Sequence, residues 1–412
     1  MTSELKQPGI LMATTLSKPG YSIALFDSIA LAGADWQRAM PEDNIFLQLD
    51  FLSSMEAAPP VGMDFRYLVF YENKLPVGVA LCQIQYFQAD QSVNLDDVQE
   101  TPCFFNAIAR SLKGFVARNV GFYTMACGNL LLTGEHGYYF KAAHLAGAPG
   151  IQLLEEALLH TQQQLREVGT TIAATLIKEL FESSRVEAQP LVDRRYIEFT
   201  IQPNMIMNLD PAWASFEDYK AAISSKYRVK LKKAQKCLKH IEKRELSIED
   251  IREHQERMYD LYRGIAINSG FNVLRLNRNY MLEMKTRLPK AFKVMGYYEE
   301  GKLIAFYTSI RNGAEMEAHF LGFDKERNRD LKVYFNILLD LVEQGIQCQA
   351  HKIIFARTAM EIKSSVGAIA HEMYCYMRHR NSLSNRFIKP VLNYLRPMEP
   401  WQARNPFKAP NS

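Results

Sequence analysis

Residues 291–324 read AFKVMGYYEEGKLIAFYTSIRNGAEMEAHFLGFD, and this stretch decides the fold class. Three runs rich in β-branched and aromatic residues are separated by Glu300-Gly301 and Asn312-Gly313. Both dipeptides accept positive φ, and Asn-Gly between alternating apolar runs is the strongest short hairpin signal. The stretch therefore predicts a three-stranded meander. Apolar residues then recur at helical spacing over 331–344, with Gly345 as the C′ glycine that ends the helix. Strands over 351–356 and 373–377 follow. Meander, helix and strand in that order predict an α/β layout of sheet and helix layers.

Working back towards the start, the same order appears once more. A strand over 21–26 and a helix over 44–56 precede a hairpin, 67–71 with 77–87, around Glu72-Asn73-Lys74. Residues 89–101 are acidic and polar, a surface loop. Helical spacing returns over 104–116 and 152–168, with strands over 170–176 and 193–201. Three helices open the second half, over 215–239, 248–267 and 277–287. Ser215 and Asp218 stand at capping-box spacing in the first of them. A chain of 412 residues is too long for one ordinary core. The reading is a flexible leader (1–20), two domains (21–208 and 209–380) and a basic amphipathic C-terminal arm (381–412).

Composition narrows the function classes. The chain is 48% apolar and 23% charged, with a net charge of +4, so it is globular and not a bulk neutraliser of nucleic acid. Six cysteines are scattered without CxxC spacing, which argues against a zinc site or a disulfide framework. No apolar run reaches the roughly 18 residues of a membrane span. The reading is a cytoplasmic protein without a metal or a covalently bound cofactor. Walker A, dinucleotide-glycine, HExxH and GxSxG motifs are all missing.

Three stretches carry a family resemblance: FLSSMEAAP with RYLVFYENKLPVGVALCQIQYF, SFEDYKAAISSKYRVKLKKA, and the run that ends FARTAMEIKSSVGA. With them the chain resembles the FemAB-like, tandem-GNAT acyltransferase superfamily over most of residues 21–380. The resemblance implies two GNAT-like domains and transfer of an acyl group to an amine acceptor. It implies a thioester donor as co-substrate, acyl-CoA or acyl carrier protein, or else an aminoacyl-tRNA. It also implies that the donor lies where two central strands splay, its pyrophosphate on the next helix N-terminus. At that place this chain reads GFDKERNRDLK, with Gly322 alone, so it departs from a glycine-rich acetyl-CoA loop. Lys325, Arg327 and Arg329 supply side-chain contacts to phosphate instead.

Glu315, Glu317 and His319 alternate on the strand before that loop and share one face. Amine acylation needs a group that takes a proton from the attacking nitrogen. Glu317 and His319 are the candidates, against the alternative of a charged strand edge. Tyr334, on the next helix, is placed to protonate a leaving thiolate, or else belongs to the core. Arg357 and Lys363 follow the last central strand, where α/β folds gather ligand groups. They suit an anionic group on the substrate, with Glu361 orienting one of them. A structural Arg–Glu pair is the competing reading.

Residues 226–244 hold nine Lys or Arg against Glu242 alone, with Lys226, Lys230 and Lys233 at helical spacing. Such a stripe is either a solvated face or a dock for an acidic carrier protein, tRNA or anionic lipid. Without interleaved aromatics beyond Tyr227, a base-stacking nucleic-acid site is not expected. The arm has no acid between Met373 and Pro397. It either lies on the inner face of an anionic membrane or packs back through Trp401 and Phe407. The leading expectation is an N-acyltransferase acting on an amine such as an aminolipid precursor. The alternatives are a FemAB-type aminoacyl transferase acting on a peptidoglycan precursor and a catalytically silent GNAT-fold binding protein.

Overall fold

The computed structural model describes residues 11–88, 121–266, 274–390 and 401–408. The helix expected over 104–116 and the acidic loop over 89–101 lie outside the described residues. Eight strands before residue 201 go to one sheet: β1 (Met12–Thr15), β2 (Tyr21–Phe26), β3 (Met63–Glu72), β4 (Leu75–Gln88), β5 (Gly121–Cys127), β6 (Tyr138–Phe140), β7 (Ile172–Leu180) and β8 (Ile197–Thr200). The second sheet holds β9 (Asn204–Asn208), β10 (Glu242–Glu245), β11 (Phe292–Glu299), β12 (Lys302–Asn312), β13 (Glu315–Phe323), β14 (Lys352–Ile354) and β15 (Ile369–His371). The last strand, β16 (Tyr374–His379), returns to the first sheet.

The first sheet runs β1-β2-β3-β4-β5-β7-β16-β8, with β6 beside β4; the second runs β10-β11-β12-β13-β14-β9-β15. The repeat suspected in the sequence is thus a repeat of topology. It carries an exchange that the sequence pattern did not show. β9 falls in the range expected for the first domain yet lies between β14 and β15 of the second sheet. β16 falls in the range expected for the second yet lies between β7 and β8 of the first. Each half lends the other an inner strand, so no cut near residue 208 separates two complete sheets. Fragments 1–208 and 209–412, made separately, are expected to show no cooperative urea transition, because each leaves an inner pair of strand edges open. A cooperative melt of either fragment alone would contradict the exchange.

Helices pack on both sheets. α1 (Ile29–Ala39) and α2 (Leu49–Ala57) belong to the first half, as does α3 (Gly147–Glu167). In the second half α4 (Phe216–Ala222) and α5 (Ser225–Cys237) replace the single helix expected over 215–239. The break is at Ile223, which turns extended (φ −78°, ψ 151°) and bridges to Phe407, while Ser224 N–H donates to Pro406 O at 2.8 Å. The expected helix over 248–267 is likewise split at His254 into α6 (Ile248–Glu253) and α7 (Gln255–Ala266), and α8 (Tyr280–Arg287) follows. The capping box of Ser215 and Asp218 is present at the start of α4.

Two glycine readings change. Gly345 lies inside α10 (Val333–Gln347), where a Cβ would come within 2.7 Å of Ile353 Cδ1. It permits close helix–strand contact, and the chain reverses instead near Gln349, at φ 53°. In the β12–β13 turn Asn312 pairs with Glu315, so the corner residues are Gly313 and Ala314. Asn312 Oδ1 instead accepts from Ile45 N–H at 2.8 Å and ties this turn to the first half.

One apolar core crosses between the halves. Trp36, Phe46, Phe51 and Met55 from the first meet Met258, Tyr280, Met284, Phe292 and Phe306 from the second, all buried. An interface built like a core resists hinge motion. Residues 401–408 pack back on the second half: Phe407 lies beside Trp213 and Tyr219 and over Gly367.

Candidate active site

β13 and β14 run parallel and pair at Glu315–Lys352, Met316–Ile353 and Glu317–Ile354. β14 stops there, but β13 continues to Phe323, so the second sheet opens as a fork with Glu317 at its apex. The corresponding strands of the first sheet, β5 and β7, pair up to Cys127–Ile177, where β5 itself ends. Past the apex β13 bulges. Tyr307 opposes Leu321 and Ser309 opposes Ala318, so His319 and Phe320 together face Thr308. Thr308 Oγ1 pins the bulge, accepting from Phe320 N–H at 2.8 Å and donating to Phe320 O at 3.0 Å.

Glu317 is 3% exposed and faces the first half, where His136 Nε2 lies 4.0 Å from its Oε1. Burial, with Glu315 close by, holds the Glu317 carboxyl well above the usual carboxylate range. Burial also lowers His136, to about 4, so its ring is neutral near pH 7. His319 Nε2 lies 2.8 Å from Tyr280 Oη, in an aromatic cage that includes Phe292 and Phe320. Its Nδ1 is buried without a partner, and burial lowers the ring to about 3.

A buried ionic cluster joins the halves beside the fork. Glu179, fully buried, meets Lys178 Nζ at 2.7 Å, Gly134 N–H at 2.8 Å and Arg357 Nη1 at 2.6 Å. Burial alone would raise its carboxyl, but Lys178 and Arg357 outweigh that and hold it below the ordinary range. Lys178 also donates to Leu132 O at 2.6 Å. The backbone is left-handed at Glu179 (φ 58°), Ala356 (57°), Thr358 (68°) and Ala359 (47°). Such a run of non-glycine residues persists only where surrounding contacts hold it.

The remaining expected residues are dispersed. Arg357 makes the inter-half ion pair just described, so its partner is Glu179 and not Glu361. Glu361 binds Arg404, with Nε at 3.0 Å. Lys363 Nζ turns inward to Ala356 O (3.2 Å) and Arg357 O (2.5 Å), and burial lowers it to about 7. Arg327 is held by Glu299, with Nε at 2.8 Å, and by Asp330 at 3.2 Å; Lys325 and Arg329 are exposed. Gly322 serves packing, since a Cβ would come within 2.5 Å of Tyr262 N on α7. Tyr334 lies against Phe323 in the first turn of α10, its hydroxyl pushed up by burial.

The expected donor loop is itself helical, as α9 (Lys325–Leu331) with Asp324 as its cap. Asn328 Oδ1 then accepts from Tyr334 N–H at 2.8 Å and occupies a donor at the start of α10. His136, Lys178, Glu179 and Tyr280 were not singled out by the sequence. The signal for one pair was there: Lys178-Glu179 is a charged dipeptide in the otherwise apolar run IAATLIKEL.

The buried histidines set a pH dependence. His136 and His319 have folded pKa values below the ordinary 6.5, so the unfolded chain binds more protons as pH falls. Their contribution is present above pH 6.5 and is lost as pH falls from 6.5 to about 4 for His136 and about 3 for His319. His136→Gln is expected to flatten the upper part of this acid limb, read as urea midpoint against pH. An unchanged slope would show that His136 is not buried neutral.

No protein-family model matches the chain, and no curated protein sequence matches it. Solved structures do. The crystal structure of FemX superposes with a TM-score of 0.50 at 10% identity, over 83% of this chain and 94% of that one. A tandem GNAT protein from the clavulanic acid biosynthesis pathway reaches 0.46 at 8% identity, over 81% and 87%. L-PGS from Bacillus licheniformis reaches 0.43 at 10%, over 83% and 95%. At 10% identity FemX and this chain share a fold. It is the fold expected from the sequence: two GNAT-like α/β halves in tandem.

Proposed function

We propose that this chain, with the FemX fold, is an N-acyltransferase whose fork in the second sheet takes an acyl thioester and passes the acyl group to an amine. The observation that supports this best is Glu317, a buried carboxyl at the apex of the fork between β13 and β14. A neutral amine attacks the thioester carbonyl, forming a C–N bond; the C–S bond breaks and the thiolate departs. The surplus proton on nitrogen passes to the Glu317 carboxylate. Tyr334, held protonated, is the donor for the thiolate.

Acyl-CoA and acyl carrier protein both fit as donors, through phosphate or acidic side chains. Lys226, Lys233 and Lys236 on α5 have no acidic partner among the described residues, and Lys230 reaches Ser365 Oγ at 3.2 Å. An aminolipid precursor or a peptidoglycan precursor fits as acceptor. A silent binding protein is the second reading, favoured by the self-capped start of α10. Thiol release from a panel of acyl thioesters, with and without added amines, separates them. Amine-dependent release supports transfer; thermal stabilisation by acyl-CoA with no release supports silent binding.

A further inference from the structure

Asn204 opens β9, the strand lent to the second sheet, and is 1% exposed. Both its Oδ1 and its Nδ2 lack a hydrogen-bond partner, and it is the one buried side chain of the described residues with both polar atoms unmet. Its direction follows from register. Met205 and Met207 alternate with it and enter the core beneath α10, together with Ile353 and Phe355. Asn204 and Ile206 therefore point to the opposite face. Ile206 pairs with Ile354, and Ile354 with Glu317, so this is the face that Glu317 presents to His136.

Beside Asn204, Met205 N–H donates to Ala356 O, and Ala356 leads directly into Arg357 and its ion pair with Glu179. His371, half-buried, lies opposite on β15. Two strand spacings and two residues along the strand put Asn204 about 12 Å from Glu317. An acceptor whose amine reaches Glu317 would extend its next polar group towards Asn204.

Leaving an amide buried and unpaired costs stability for each group left unmet. A leucine of similar volume would avoid that cost, so an asparagine is explained if something pairs with both atoms. A donor and an acceptor side by side match one chemistry well: a primary carboxamide, whose C=O accepts from Nδ2 and whose syn N–H donates to Oδ1. We infer that Asn204 is a specificity-determining residue that holds an amide group of the amine acceptor. This rests on the acyltransferase reading for the acceptor's amine, but its readout is binding.

The test compares glycinamide with glycine methyl ester, which has the same amine and carbonyl but lacks the amide N–H. Each is added at the same saturating concentration to the wild-type chain, Asn204→Leu, Asn204→Asp and Glu317→Gln, and the thermal midpoint is read. The wild type is expected to be stabilised more by the amide than by the ester. Asn204→Leu and Asn204→Asp should lose that preference, while Asn204→Leu alone should melt no lower than wild type. Glu317→Gln should keep the preference, which separates this inference from the assignment of the proton acceptor. Equal shifts with both probes, or none, would mean that water alone pairs with Asn204 and would overturn the inference. So would a preference that survives in Asn204→Asp, or an Asn204→Leu protein less stable than wild type.

Discussion

Replacing Glu317 by glutamine is expected to lower the rate of acyl transfer by about 10²–10⁴-fold, the usual contribution of a positioned general base. The substitution keeps the shape of a side chain that is 3% exposed, so the fold should survive. Stability supplies the control. The folded-state pKa of Glu317 lies above the ordinary 4.5, so the native chain holds a proton that the unfolded chain releases. Native stability is therefore lost as pH rises above 4.5 towards the folded value. Glutamine removes that loss, so the variant should gain on the wild type as pH rises. The transfer rate should behave inversely: wild-type kcat/KM climbs as Glu317 ionises, and the variant lacks that limb. A variant with full activity would transfer the role to another group, and one less stable at every pH would make Glu317 structural.

The second large effect concerns Glu179. Its replacement by alanine leaves Lys178, 5% exposed, and Arg357 without their acid, and Gly134 N–H without an acceptor. Breaking a buried pair in this way costs about 3–5 kcal/mol, more than most single substitutions. Lys178→Met should cost less, because Arg357 still faces Glu179. The double variant Lys178→Met with Glu179→Leu should recover much of the loss, since an apolar pair carries no desolvation cost. Urea midpoints of the wild type, Lys178→Met, Glu179→Leu and the double variant form the cycle. Additive losses would show that the two side chains do not act as a pair.

What the sequence could reveal followed from local rules. The hairpin at Glu300-Gly301 was legible because its residues answer a backbone requirement two positions wide. The face shared by Glu315, Glu317 and His319 was legible because strands alternate. Gly345 was misread because a glycine that admits a close neighbour looks, in sequence, like one that turns a corner. The strand exchange was invisible for a related reason: β9 and β16 have ordinary strand patterns, and nothing local states which sheet receives them. The cluster of Lys178, Glu179 and Arg357 spans 180 residues of chain and exists only once the two sheets meet.

Hydrogen exchange of the backbone amides of Ala318–Phe323, with and without a long-chain acyl-CoA, tests the central claim most directly. These residues line the open side of the fork, beyond the last pair at Glu317–Ile354. The account predicts that the ligand slows exchange there and leaves Tyr123–Cys127 of the first sheet, already paired along its length, unchanged. Slowing confined to the first half, or transfer activity with no protection at the fork, would contradict it.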